Sequence, residues 1–249
     1  MPKPFLSVII PAYNEAQRLP LTLINVDYHL SRVEYSSEII VVNDGSVDGT
    51  REIVERFSGL IKNLRFIDNN ENHGKGYAVK IGMLAAHGNF RIFMDADNST
   101  SVDHFNKAFP YLREGFDIII GSRTHKESKL KPSQPLFKRL LGKAGNLFVR
   151  LNGLAGFHDT QCGFKCFSEE AAEKIFKLVK INGWAFDVEI LFLAKILGLK
   201  IKEIPVVWVN DIQSRVNFIG YLKTLADVVK IRYMISKGKY DLSVLSQKK

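Results

Sequence analysis

The sequence predicts an α/β fold built on a mostly parallel, doubly wound sheet. Short β-rich apolar runs alternate with stretches of helical spacing from the start of the chain, the pattern of parallel βαβ units. The residues after each apolar run are unusually polar, as expected where strands end at the crevice in which such sheets bind ligands. At 249 residues and 46% hydrophobic, the chain can bury one substantial core.

The first strand reads over residues 5–10, and residues 19–30 have helical spacing. Strand 38–42 and helix 49–57 follow, then strands at 64–67, 91–94 and 116–120, separated by helical patterns at 77–86 and 103–113. Past Gly121 the character changes. A basic loop spans 123–138, and two apolar segments with interspersed lysine and arginine cover 136–157 and 216–235. Each segment either packs one face on the core or lies in a membrane interface with its basic residues near anionic headgroups. One domain is expected over 1–240, with a polar tail at 241–249.

Thirty-five basic against 26 acidic residues leave a formal charge of +9, which favours anionic partners. The basic residues fall within apolar amphipathic segments and no nucleic-acid motif is present, so nucleic acid is not expected as a partner. Two cysteines, Cys162 and Cys166, are too few for a disulfide scaffold or a four-ligand zinc site, which fits a reducing, cytosol-facing location. No secretory signal is evident, nor any run near the ~18 apolar residues of a membrane span.

The polar strand ends carry the chemistry. Asp95-Ala96-Asp97 follows an apolar strand, and the period of two places both carboxylates on one side of an extended backbone, where they can hold a hard divalent cation. Asp44 stands where it can accept hydrogen bonds from a ribose or base, or serve in a turn before a helix that Ser46 or Asp48 caps. In the run Pro11-Ala12-Tyr13-Asn14-Glu15, Tyr13 can stack on a base and Glu15 can bond to a sugar, although the run also reads as a plain turn. Asn72-His73-Gly74-Lys75-Gly76 sets a lysine between glycines without the spacing of a P-loop, so Lys75 reads either as a nucleotide contact or as a solvated loop lysine. Cys162 reads as a small packing residue, since no histidine is paired with it.

Taken in order and spacing, residues 8–15, Val42-Asn43-Asp44-Gly45-Ser46 with Asp48-Gly49-Thr50, and Met94-Asp95-Ala96-Asp97 resemble an inverting family 2 glycosyltransferase. The runs 72–76, Gly121-Ser122-Arg123, 159–165 and 184–189 are similar to those of dolichyl-phosphate β-glucosyltransferases, and the resemblance covers roughly residues 5–232. In the related mannose synthases a glutamine usually stands two residues after the second aspartate, where this chain has Ser99.

The resemblance implies a GT-A fold with C-terminal amphipathic interfacial helices, a nucleotide-sugar half at 1–122 and an acceptor- and membrane-facing half at 123–240. It implies a UDP-glucose donor, a polyprenyl-phosphate acceptor and Mg²⁺ or Mn²⁺ on Asp95 and Asp97. Pro11, Ala12, Tyr13, Glu15, Asp44, Gly74, Lys75, Asp95, Ala96 and Asp97 are then the donor site. Ser122, Arg123, Gln161, Gly163, Lys165, Trp184, Asp187 and Glu189 form the acceptor and sugar site, with Asp97, Arg123 and Arg215 catalytic. For Asp187 and Glu189 the alternative is a solvated helix face beginning near Phe186, and for Arg215 it is ordinary surface charge. The eukaryotic glucosyl enzymes carry an N-terminal anchor that this sequence lacks, so attachment to the cytoplasmic face of a membrane through the two basic segments is expected instead. A family relative with a hydroxyl acceptor, a mannosyltransferase using GDP-mannose and a sugar-phosphate nucleotidyltransferase are the competing readings.

Overall fold

The computed structural model describes residues 3–131, 136–209 and 218–245. In chain order the elements are β1 (Leu6–Ala12), α1 (Leu19–Leu30), β2 (Ser37–Asp44), α2 (Thr50–Ser58), β3 (Leu64–Asn69), α3 (Lys75–Ala85), β4 (Phe90–Phe93), α4 (Phe105–Arg113) and β5 (Ile118–Ser122). There follow β6 (Lys129–Lys131), α5 (Leu136–Val149), β7 (Lys165–Ser168), α6 (Glu169–Leu178), α7 (Phe186–Ile196), β8 (Ile201–Pro205), β9 (Val207–Val209) and α8 (Phe218–Ser236).

Seven strands form one sheet in the order β3-β2-β1-β4-β7-β5-β8, and β6 pairs with β9 in a separate ribbon. All pairings in the main sheet are parallel except those of β7, which runs antiparallel to both β4 and β5. The strand alternation works as the sequence implies. Val8 and Ile10 of β1 and Ile39 and Val41 of β2 pack with Leu23, Val54 and Phe105 on one face, while Ile9, Ile40 and Val42 pack with Val79, Phe176 and Phe186 on the other.

The five sequence-predicted strands and the helices between them are all present, whereas β6 to β9 and α6 went unrecognised. The reason is physical. These four strands are only three to five residues long, and β7 opens with a lysine, so no run of apolar alternation builds up. Ser168 at the end of β7 starts α6 by accepting from the Ala171 N–H at 3.2 Å.

The antiparallel sense of β7 matters for function. Its first residue, Lys165, lies opposite Phe93 and Ile120, at the ends of β4 and β5 from which the polar loops emerge. The segment leading into β7 is thereby brought to the same edge as the carboxyl ends of the parallel strands.

Beyond the sheet, α8 buries Thr224, Val228, Ile231 and Met234 while exposing Ile219, Leu222, Ala226, Val229 and Tyr233, which recur at spacings of three and four and so form a second stripe. Packing on the core thus accounts for one face of this helix and leaves another apolar face open. Among the described residues no helix is long and apolar enough to cross a membrane.

Candidate active site

The loops after β1 and β2 are laced together by short polar side chains. Asn14, in the left-handed region at φ 53°, donates its N–H to Ser46 Oγ at 2.8 Å and accepts the Val47 N–H on its Oδ1 at 2.8 Å. Glu15 N–H donates to Thr50 Oγ1 at 2.8 Å, and Asp48 Oδ1 accepts from the Thr50 N–H at 3.0 Å where α2 begins. The helix cap expected of Ser46 or Asp48 is not formed as such: Gly49 occupies the N-cap position without a side-chain bond, and Asp48 instead makes a local turn onto Thr50. The Glu15 carboxylate grips Arg18 through two contacts of 2.6 Å, Ala12 is buried beside Pro11, and Tyr13 stands partly exposed at the mouth.

Asp44, nearly fully buried, turns its carboxylate onto the next loop, accepting the N–H groups of His73 at 3.1 Å and Gly74 at 2.7 Å. This fixes residues 72–76 at the start of α3. Gly74 adopts φ 107°, and a side chain there would also run into the carbonyl of Asn182, so glycine is required twice over. Gly76 N–H donates to that same carbonyl at 2.7 Å. The segment around Asn182 was not foreseen as part of the site, since nothing in its sequence marks it.

Glu189 explains how that segment is held. Its carboxylate, fully buried, accepts from the N–H groups of Lys180 and Ile181 and from Tyr240 Oη at 2.6 Å. Burial raises its carboxyl above the usual range despite these donors. It sits on a buried helix, not the solvated face considered above, and it organises the loop beneath the cleft, with its oxygens committed to these bonds.

Lys75 emerges between the two glycines and places Nζ 2.5 Å from Asp95 Oδ1 and 4.9 Å from the ring of Trp184. Behind Asp95 lies Gly163, where any added Cβ would overlap the carboxylate. Ala96 is buried, and its carbonyl accepts from Thr22 Oγ1 at 2.6 Å, which ties the acidic turn to α1. Asp97 accepts the Ser99 N–H at 2.9 Å, and Asn98 between them takes φ 54°.

Across the cleft, Lys165 donates to Asp187 Oδ1 at 2.5 Å and to the Cys162 carbonyl at 2.8 Å, wholly out of solvent. Arg123 binds Asp159 three times, through its N–H at 2.8 Å, Nε at 2.7 Å and Nη2 at 2.9 Å, and lies 5.7 Å from the ring of Trp208. The Asp159 and His158 N–H groups are in turn held by Glu203. Ser122 is buried at the end of β5, and the Gln161 N–H turns back on Asp159 at 3.3 Å. Asp159 and Trp208 were missing from the foreseen site residues, because only the antiparallel course of β7 and the short β6–β9 ribbon bring them to Arg123. Arg215 lies outside the described residues.

The electrostatics follow from these pairings. Burial works to raise the Asp95 carboxyl, but the Lys75 ammonium, with Lys165 and Arg123, outweighs it and holds the group below the usual carboxylate range. Burial likewise opposes ionisation of Asp159, and Arg123 again prevails. Asp97 goes the other way, raised by burial and by the charge of Asp95. Asp187 is raised by burial in spite of Lys165 and Lys75. Burial pushes the Cys162 thiol up to about 11, which agrees with a packing role.

The cluster therefore sets four carboxylates, Asp95, Asp97, Asp159 and Asp187, against three cations, Lys75, Arg123 and Lys165. The charge of Arg18, itself paired with Glu15, reaches Asp97 as well, and the two carboxylates of the acidic turn are hard oxygen donors in mutual repulsion. A divalent cation fits that donor set. No group of three or more His, Cys, Asp or Glu able to hold a metal occurs among the described residues, so an ion held by the acidic turn would need further oxygens from outside the protein.

Comparison with known proteins gives three kinds of finding. The model of the family described as "Glycosyl transferase family 2" matches residues 7–176. The dolichyl-phosphate beta-glucosyltransferase of Dictyostelium discoideum is 36% identical over 247 residues, covering 94% of this chain and 76% of that protein. The enzyme of that name from Homo sapiens is 32% identical, covering 95% and 78%. Among solved structures, mannosyl-3-phosphoglycerate synthase from Rubrobacter xylanophilus superposes with a TM-score of 0.70 at 19% identity, over 96% of this chain and 76% of that one. Glucosyl-3-phosphoglycerate synthase from Mycobacterium tuberculosis, in complex with Mn²⁺, uridine diphosphate and glucosyl-3-phosphoglycerate, gives 0.65 at 18% identity, over 92% and 78%. These structures establish the α/β GT-A fold that the sequence led us to expect.

Proposed function

Because this chain belongs to glycosyl transferase family 2 and is a glycosyltransferase, we propose that it transfers glucose from UDP-glucose to a dolichyl-type polyprenyl phosphate with inversion. The names of the relatives support glucose and the lipid phosphate. The pairing of the cleft carboxylates supports a phosphate acceptor over a hydroxyl.

Among the described residues, Asp95, Asp159 and Asp187 are each engaged in an ion pair, while Asp97 accepts from Ser99 and is steadied by the charge of Arg18. A hydroxyl acceptor needs a base to take its proton. A phosphate monoester, with a second pKa of ~6, arrives as a nucleophile already and needs none. It needs positive charge instead, which the partly exposed Lys75 and Arg123 can offer once a divalent cation balances the acidic turn, with Lys165 buried behind them. An oxygen of the lipid phosphate attacks the anomeric carbon while the bond to the donor diphosphate breaks, its electron pair leaving with UDP. One displacement inverts the centre.

In this reading Asp44 and the loop from Pro11 to Glu15 hold the nucleoside, and Gly74 and Lys75 meet the diphosphate. Trp184, Ser122, Gln161 and Gly163 border the sugar and acceptor, with Asp187 orienting Lys165. Asp95 and Asp97 hold Mg²⁺ or Mn²⁺, which when bound offsets the charge growing on the departing diphosphate. The exposed stripe Ile219, Leu222, Val229 and Tyr233, with Leu147 and Leu151 exposed on neighbouring elements and Lys223, Lys230 and Arg232 around them, rests on the membrane that holds the acceptor.

Incubation with UDP-glucose, Mn²⁺ and a short polyprenyl phosphate should yield an organic-soluble glucolipid with one UDP released per product. Asp97→Ala should lower turnover by roughly 10²- to 10³-fold, the usual cost of removing a group that serves developing charge. Transfer to a hydroxyl acceptor with none to the lipid phosphate would overturn the acceptor assignment, and turnover with GDP-mannose alone would overturn the donor.

A further inference from the structure

The three cations of the cleft are not equally fixed. Lys165 is fully buried between Asp187 and a carbonyl, and Arg123 is locked by three hydrogen bonds to one carboxylate. Lys75 makes a single hydrogen bond among the described residues, to Asp95 Oδ1 at 2.5 Å, and its side chain keeps 15% exposure.

Neither end of that contact can yield by a backbone shift. Gly74 and Gly76 are pressed against the carbonyls of Ile181 and Asn182, so the start of α3 is pinned. Asp95 is backed by Gly163, with no room to retreat. What remains free to move is the four-carbon stem of Lys75, whose ammonium on Asp95 already lies 4.9 Å from the ring of Trp184 and 6.0 Å from that of Phe186.

The metal reading of the proposed function, on which this inference rests, assigns Asp95 to a divalent cation. That cation and the ammonium cannot share one carboxylate oxygen without strong repulsion. An ammonium turned off Asp95 needs a new anion, and the donor diphosphate is the one that arrives. We infer that Lys75 is the resident counter-cation of Asp95, closing the metal position until a nucleoside diphosphate takes up its ammonium, so that metal and nucleotide load together. The device keeps Asp95 neutralised between turnovers, and it couples the two sites reciprocally.

Binding of Mn²⁺, read from loss of the free aqua-ion signal in electron paramagnetic resonance, tests this without turnover. The wild type and Lys75→Met are each titrated with Mn²⁺ alone and with Mn²⁺ plus UDP. Lys75→Met should bind Mn²⁺ alone roughly tenfold more tightly than the wild type, within the ordinary range of site coupling, and UDP should then help it less. Equal or weaker binding of Mn²⁺ alone by Lys75→Met overturns the inference. Absence of Mn²⁺ binding in all four mixtures overturns the metal reading beneath it as well. Should Lys75→Met fold poorly, Lys75→Gln replaces it. The wild type carries its own reporter in Trp184, whose emission should change with Mn²⁺ and UDP together, and a full change with Mn²⁺ alone would also defeat the proposal.

Discussion

The two walls of the cleft are built on different physics. On one side, where we place the nucleotide, the loops after β1, β2 and β3 are held by hydrogen bonds in which a short side chain meets a backbone N–H, as at Asn14, Ser46, Thr50 and Asp44. On the other side Arg123, Asp159, Lys165 and Asp187 are held by ion pairs, the last two almost wholly out of solvent, and Lys75 and Asp95 make a third such pair where the two walls meet. A backbone-bonded loop has one geometry and keeps it whether or not a ligand is present. An ion pair can exchange partners when a new charge enters. The first wall is thus a fixed cradle, and the second is a store of charge that a polyanionic substrate can redistribute.

The largest structural effect belongs to the second wall. Asp159→Asn leaves the Arg123 guanidinium without its counter-charge, and breaking such a pair typically costs about 3–5 kcal/mol, to be read from urea unfolding at neutral pH. The pH dependence has a definite sign. The Asp159 carboxyl is held below its ordinary value, so its contribution is full at neutral pH and is lost as pH falls through the folded value. The deficit of Asp159→Asn should shrink in acid, and a deficit independent of pH would show that the pair acts by shape alone.

A smaller effect is expected on the first wall. In Asp44→Asn one oxygen replaces two, so one of the two N–H groups of residues 73 and 74 loses its acceptor, at about 1–3 kcal/mol. UDP affinity, measured by calorimetry, should fall with it, because the loop carrying Lys75 loosens. A stability loss with no change in UDP affinity would mean the loop does not frame the nucleotide.

The smallest effect has the opposite sign. Asp97 has a carboxyl raised by burial and by Asp95, so its ionisation works against folding. That penalty appears as pH rises from the ordinary aspartate value through the raised one, and it is complete above it. Asp97→Asn should therefore melt higher than the wild type at neutral pH, by about 0.5–2 kcal/mol in stability, while losing activity. The difference should vanish at low pH, and a less stable variant would place Asp97 among the structural carboxylates.

How much of this was legible in the sequence differs by wall as well. The strand ends Pro11 to Glu15, Asp44 and Asp95 to Asp97 could be read directly, because a parallel strand announces itself by an apolar run and its active end by the polar residues that follow. Glu189 looked like a ligand contact from its place beside Asp187 in one short run, yet successive positions of a helix point in different directions. Asp187 meets Lys165 while Glu189 ties down Lys180, Ile181 and Tyr240. Asp159 stands in the 159–165 run that the sequence singles out, but its pairing with Arg123 depends on a four-residue antiparallel strand that carries almost no periodic signal.

The sequence by itself determined the first five strands of the sheet, their two apolar faces and the acidic turn at the end of β4, since these depend on alternation and local spacing. Only the tertiary structure decided which cation serves which carboxylate. Lys75 and Asp95 are 20 residues apart, Arg123 and Asp159 are 36, and Lys165 and Asp187 are 22. Coulomb attraction carries no preference for sequence position, so the partners are chosen by strand order and by the reversal of β7, which bring these loops to one edge.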